Sequence, residues 1–442
     1  MTIQTKYGLI EGVQENGYTV FKGVPYAKPP VGALRFMPPE EPEAWSGTRK
    51  ADTFPCRCTQ YAPGEGNPFL KEFYSDPEFL PDFSEDCLYL NIWAPDEALA
   101  DPAGSRCPVA FWIHGGGFGG GYSSEIEFDG AANAKAGIIL VTINYRVNIF
   151  GFLTHPWLDA ENERGISGNY GILDQIAALR FVHENIAAFG GDPDNITIFG
   201  QSAGCMSCQV LLSSPLTKGL IAKAILQSGV ACEEDFLLTP THAEEEEFGM
   251  KMVEYTGAAS LDELRSLPAE KLLEAYGRFN GEMMAAGKGL VVVPNVDGYV
   301  LEETVKDCWK NGHLPVIPYI AGCTGNDLGT TPEDLAADDP GMLLRECKAF
   351  ARRTNEAPGA PGSYVYAFMH KLPGDDWGAF HTCETWYMFG TLGRCWRPMQ
   401  DEDHAISERM LANWFCFMKT GRPDASGAWR KYTEEDPYTE IF

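Results

Sequence analysis

Ile196-Thr-Ile-Phe-Gly-Gln-Ser-Ala-Gly204 decides the fold. Four residues of β-forming character run directly into Gly200-x-Ser202-x-Gly204, and residues 205–212 continue as a helix-compatible stretch. A serine on a tight strand-to-helix turn sits where neighbouring side chains would collide, so glycines stand two residues before it and two after. Such a turn aims Oγ outward. It also sets the backbone N–H of Ala203 at the start of a helix, where it faces the charge that develops on a carbonyl oxygen under attack. The stretch reads as a serine nucleophile, Ser202, with one donor of an oxyanion hole beside it.

Outward from this turn, residues 109–113, 138–144, 196–199, 224–227 and 316–321 are short β-branched or aromatic runs that read as buried strands. Residues 170–189 carry apolar side chains at helical spacing. Strand and helix in alternation predict an α/β fold, a mostly parallel central sheet with helices on both faces. Two acidic, helix-favouring stretches, about 235–312 and 331–360, interrupt the alternation. They are expected to form a helical cap over the site of a single domain spanning 1–442. The run Glu244–Glu247 reads as a solvated helix face.

A second motif reinforces the first. Val109-Ala-Phe-Trp-Ile-His-Gly-Gly-Gly-Phe118 is a strand ending in a glycine loop that can pass close to a substrate carbonyl. Its Gly116 and Gly117 N–H groups, with that of Ala203, make three oxyanion donors. The same loop satisfies G-x-G-x-x-G at Gly115, Gly117 and Gly120, but residues 122–129 do not begin as a helix. No acidic residue ends the next strand, which reads Asn144-Tyr-Arg146, so a dinucleotide site is rejected.

A serine hydroxyl needs a base and an orienting carboxylate, which follow it in the order acid, then histidine. Four histidines lie late in the chain: His313, His370, His381 and His404. His381, in Gly378-Ala-Phe-His-Thr382, falls in a glycine-bearing loop after an apolar strand, the place for a mobile base. Asp327, in Ala321-Gly-Cys-Thr-Gly-Asn-Asp-Leu-Gly329, lies just past a strand end, where a carboxylate can reach a histidine at the same rim of the sheet. Cys205-x-x-Cys208 has no second pair and falls on the helix after the nucleophile, so it reads as packing. His183-Glu184 lacks a second histidine four residues on. No metal and no organic cofactor is expected.

The chain has 442 residues, with 34 Lys plus Arg against 62 Asp plus Glu, a formal charge of −28. So acidic a surface repels phosphate backbones and anionic lipid, which argues against nucleic acid and membranes as partners and for a small-molecule substrate. No run reaches the roughly 18 apolar residues of a membrane span. The opening MTIQTKYGLIEG has no basic stretch followed by an apolar one, and the 13 cysteines are scattered, so a cytoplasmic protein with mostly reduced thiols is expected.

Several segments together resemble the type-B carboxylesterase family. Phe21-Lys-Gly-Val-Pro-Tyr-Ala27 and Pro30-Val-Gly-Ala-Leu-Arg-Phe36 are similar to that family's opening. Ser84-Glu-Asp-Cys-Leu-Tyr-Leu-Asn-Ile-Trp93 resembles its second signature, and residues 189–204 its active-serine signature. The resemblance implies an α/β-hydrolase fold, Ser202 as nucleophile, His381 as base, and Gly116, Gly117 and Ala203 as the oxyanion hole. It also implies a supporting role for Ser228 behind the acid–histidine pair. The family usually carries glutamate in an Asp-Glu-Gly turn where this chain reads Asn326-Asp-Leu-Gly329, so the acid is Asp327, one methylene shorter, or another carboxylate such as Asp334. Secreted members pair two cysteines at the positions of Cys58 and Cys87. Without a leader these are expected to be free thiols here. The expected activity is hydrolysis of small neutral carboxyl esters through an acyl-enzyme; an acyltransferase with the same triad and a catalytically silent relative are the alternatives.

Overall fold

The apolar runs lie side by side in one twisted sheet. The computed structural model describes residues 1–64, 66–234, 239–337 and 339–442. In chain order the strands of the main path are β1 (Thr2–Thr5), β2 (Gly8–Gln14), β3 (Tyr18–Pro25), β4 (Tyr89–Pro95), β5 (Cys107–Ile113), β6 (Ile139–Ile143), β7 (Gly191–Gln201), β8 (Lys223–Gln227), β9 (Tyr319–Thr324), β10 (Ser363–Phe368) and β11 (Glu440–Ile441). Their order across the sheet is 1-2-3-4-6-5-7-8-9-10-11, and Thr48–Ala51 pairs with β2 off this path. Pairings from β6 through β11 are parallel, while β1 to β4 and the β4–β6 contact are antiparallel. This is the α/β-hydrolase arrangement, and it matches the expected fold class.

Period-2 alternation splits the core in two. Phe111 and Ile113 of β5 and Ile198 of β7 point to one face, where they join Cys205, Val210 and Leu211. Ala110, Trp112 and Phe199 point to the other and pack with Met410, Trp414 and Phe417. The helices covering these faces include α1 (Tyr170–Asn185), α2 (Ala203–Ser213) and α6 (Asp401–Thr420). The last strand expected before the acid loop, 316–321, is displaced: β9 starts at Tyr319, because Pro315 and Pro318 have no N–H to give a ladder.

The two acidic stretches behave differently. The first holds α3 (His242–Glu254) and α4 (Ala269–Ala285), inserted between β8 and β9, with Leu290 beyond α4 coming within van der Waals reach of Gly117. The second holds α5 (Met342–Asn355), and here the expectation of a cap over 331–360 is corrected. α5 lies on β9 and β10 as the crossover between them, burying Leu343, Leu344, Cys347 and Phe350 against the sheet. Residues 235–238 and 338, within the expected cap stretches, lie outside the described residues. The Glu244–Glu247 run is not wholly solvated either, since Glu245 is buried.

Cys58 and Cys87, expected as free thiols, are joined in a disulfide that closes a 29-residue separation. The other 11 cysteines are free, and Cys205 and Cys208 are fully buried, in keeping with a packing role. No helix among the described residues is long and apolar enough to cross a membrane.

Candidate active site

β7 ends at Gln201 and α2 begins at Ala203, leaving Ser202 alone on the turn between them with φ 56° and ψ −126°. A side chain on Gly200 would come within 2.5 Å of the Gly204 backbone, and one on Gly204 within 2.1 Å of the Ile113 carbonyl. Both glycines are therefore required by contact, and the strained serine between them is held by its N–H donating to the Gln227 carbonyl at 2.9 Å.

The glycine loop after β5 lies directly against this turn. A Cβ on Gly115 would sit 2.9 Å from the Gln201 carbonyl and 3.2 Å from the Ser202 side chain. Gly116 and Gly117 adopt φ of 102° and 61°, and Gly119 and Gly120 both donate back to the Gly116 carbonyl. The N–H groups of Gly116, Gly117 and Ala203 meet no acceptor among the described residues. His114 steadies the loop from beneath. Its ring stacks on Tyr145 at 4.3 Å, its Nδ1 reaches the Gly115 carbonyl at 2.9 Å, and burial pushes it down to about 4, so it stays neutral.

The candidate acid and base, Asp327 and His381, come from the loops after β9 and β10. His381 Nδ1 and Asp327 Oδ1 are 2.5 Å apart. Asp327 also accepts from the N–H of Thr324 at 2.9 Å and of Leu328 at 2.8 Å. Burial alone would raise its carboxyl, but the His381 charge and these hydrogen bonds outweigh it and hold it below the usual range. Burial likewise opposes the His381 imidazolium, yet Asp327, and then Glu384, leave its pKa raised above the ordinary 6.5. Asp334 goes elsewhere, closing a capping box with Thr331. Ser228, on a left-handed turn after β8, buries its hydroxyl near Asp327, without a hydrogen bond of good geometry. Ser202 and His381 line one cavity of about 500 Å³. No hydrogen bond joins them; the Gln201 side-chain amide stands 3.2 Å from His381 Nε2 instead.

Residues 1–356 match the family model described as the carboxylesterase family. The chain belongs to that family. It is 35% identical to the para-nitrobenzyl esterase of Bacillus subtilis (strain 168), over all of this chain and 94% of that one. It is 38% identical to a human cocaine esterase over 96% of this chain and 84% of the other. A solved PNB esterase structure superposes with a TM-score of 0.84 at 32% identity, covering 100% of this chain and 95% of that one. The chain is a carboxylic ester hydrolase.

Other buried groups around this carboxylesterase's cavity carry no motif in the sequence. Glu384, three residues after His381, is fully buried with neither carboxyl oxygen hydrogen-bonded among the described residues. Burial, and then the Asp327 charge, push it up to about 8. Glu72 ties the wall together, accepting from the indole N–H of Trp386 at 3.0 Å and of Trp396 at 2.7 Å and pairing with Arg397 at 3.1 Å. Glu125 and Glu127 line the same cavity. Each of these meanings comes from burial between distant segments, which no local pattern encodes.

Proposed function

We propose that Ser202 is the nucleophile, His381 the general base and then acid, and Asp327 the carboxylate that orients the imidazole. Asp327 accepts from Nδ1–H, which fixes the tautomer with a lone pair on Nε2. Nε2 takes the Ser202 proton as Oγ attacks the ester carbonyl. The N–H groups of Gly116, Gly117 and Ala203 receive the oxyanion, and the alcohol departs with the proton from Nε2. Water then repeats the sequence on the acyl-enzyme. Removing one such donor typically costs about 3–4 kcal/mol of transition-state stabilisation. Ser228 supports the pair from behind.

The observation that carries this reading is the 2.5 Å His381–Asp327 contact opening onto the cavity of the strained Ser202 turn. The cavity volume and its Phe69, Phe73 and Trp112 lining suit small acyl and aryl groups, so small carboxyl esters, neutral ones among them, are the substrate class. The test is a fluorophosphonate probe read by intact and peptide mass. One adduct on Ser202 is expected, and Ser202→Ala should remove both the adduct and turnover of short-chain aryl esters. A folded Ser202→Ala protein keeping a tenth of the activity would overturn the mechanism.

A further inference from the structure

The cavity of Ser202 and His381 has an acidic wall that ester hydrolysis does not use. Glu125 and Glu127 both line it, on the turn-rich stretch after the glycine loop. Glu127 is 1% exposed, and apart from Glu125 neither carboxyl oxygen meets a hydrogen-bond partner among the described residues. Glu125 accepts from the N–H of Tyr122 at 3.1 Å, and the two carboxyls lie within hydrogen-bond reach of each other. A buried carboxyl pair satisfied by little more than a shared proton is costly.

The charges facing the pair do not balance it. Arg57 is the cation that bears on Glu125, and its guanidinium lies over the rings of Phe83 and Tyr122. Glu72 bears on Glu127 as a further negative group, with Arg397 already bound to it. Arg394, which donates to the Ile126 carbonyl at 3.0 Å, is paired with Asp129, so among these described cations Arg57 is the one left to serve the two carboxyls. Burial holds Glu125 up to about 7, and burial with the Glu125 charge holds Glu127 well above the usual carboxylate range, so the pair keeps a proton near neutral pH.

We propose that Glu127, together with Glu125, receives a primary ammonium group carried by the ester, so that the enzyme favours amine-bearing esters over neutral isosteres. An ammonium supplies both the missing charge and three N–H donors for the unpartnered oxygens. Tyr74, Trp112 and Phe128 line the cavity with the pair and provide the aromatic surroundings in which a desolvated cation is stabilised. A metal fits less well: the pair belongs to no group of three ligating side chains among the described residues. Binding displaces the shared proton to solvent, so the preference grows as pH rises through the titration of the pair.

The inference rests on the proposed esterase reading for its substrates, and the test separates the two. The substrates are aryl esters of 6-aminohexanoate and of heptanoate, alike in length and differing in the terminal charge. At pH 8 the wild type should favour the ammonium ester in kcat/KM by about tenfold or more, the size of one charge-assisted hydrogen bond. Glu127→Gln should bring that ratio near one by lowering kcat/KM for the ammonium ester, and the wild-type ratio should shrink towards pH 6. A wild-type ratio near one, or a ratio unmoved by Glu127→Gln, overturns the proposal. Calorimetry of the wild type with n-hexylammonium and n-hexanol needs neither turnover nor the variant. Ammonium binding with proton release supports the site, and equal or absent binding refutes it. Failure to hydrolyse either ester refutes the esterase reading alone.

Discussion

Asp327 meets His381 at 2.5 Å because their loops are tied together by backbone: the Asn326 N–H donates to the Ala379 carbonyl at 2.8 Å, and Asn326 bridges to Phe380. The loops themselves make up the methylene that an aspartate lacks relative to the family's usual glutamate. A longer acid should therefore not help. Asp327→Glu is expected to lose at least tenfold in kcat, since the added carbon must displace an imidazole 2.5 Å away. Asp327→Asn should lose roughly ten-thousand-fold, the cost of losing the tautomer that accepts the serine proton. Steady-state kinetics on one aryl ester decides both; a glutamate variant as active as wild type would contradict the loop argument.

The pH profile follows from the same pair. Burial opposes charge on His381, but Asp327 and then Glu384 leave its pKa raised above 6.5. The base works only when neutral, so kcat/KM should fall as pH drops through a midpoint above 6.5. Asp327, held low, stays ionised across that range. In Asp327→Asn the residual activity should show its acid limb at lower pH. A wild-type midpoint below 6.5 would mean that burial outweighs the carboxylate.

The Gln201 side chain lies against the His381 ring. Its amide nitrogen stands 3.2 Å from Nε2 and 3.4 Å from Nδ1, close to both ring nitrogens, and presents an N–H donor to the imidazole. Gln201→Glu replaces that donor with an acceptor and a negative charge. The expected result is a shift of the acid limb of kcat/KM to higher pH, by about one unit. Gln201→Ala should leave the limb nearly in place. An unmoved limb in Gln201→Glu would show that the side chain does not face the imidazole in solution.

The Ser202 turn was legible because its logic is local. Gly200 and Gly204 are demanded by contacts within a few residues and with the neighbouring strand, so their spacing around Ser202 carries the geometry in the sequence itself. The crossover helix was misread because Arg345, Arg352 and Arg353 on its outer side mask an apolar stripe at 343, 344, 347 and 350. Glu127 and Glu384 were invisible for a different reason. A glutamate is an ordinary solvated residue until segments far away in sequence enclose it, and only then does its missing partner acquire meaning.

The Cys58–Cys87 bond makes a claim about stability that thiol counting can check. Of 13 cysteines, titration of the denatured, unreduced protein should find 11 free. Opening a loop of this length costs about 3–4 kcal/mol in the chain-entropy account. Cys58→Ser with Cys87→Ser should lose about that much in urea unfolding, with Ser202 chemistry retained at low denaturant. A count of 13, or a double variant as stable as wild type, would mean that the bond does not form or does not matter.

Glu245 gives the stability counterpart on a helix that carries none of the proposed catalytic residues. It is 2% exposed on α3, it accepts from the backbone of Val292 and Val293, and burial pushes it from 4.5 up to about 8. Between those values the unfolded chain releases a proton that the folded chain keeps. Its contribution is thus fully present below 4.5 and is lost as pH rises towards about 8. The slope is about 1.4 kcal/mol per pH unit. Glu245→Gln keeps a carbonyl to accept from the two N–H groups but has no proton to lose. Relative to wild type, its unfolding free energy should rise steadily from pH 5 to pH 8 and then level off. Urea titrations at four pH values measure this directly, and parallel wild-type and variant curves would place the Glu245 carboxyl in contact with water.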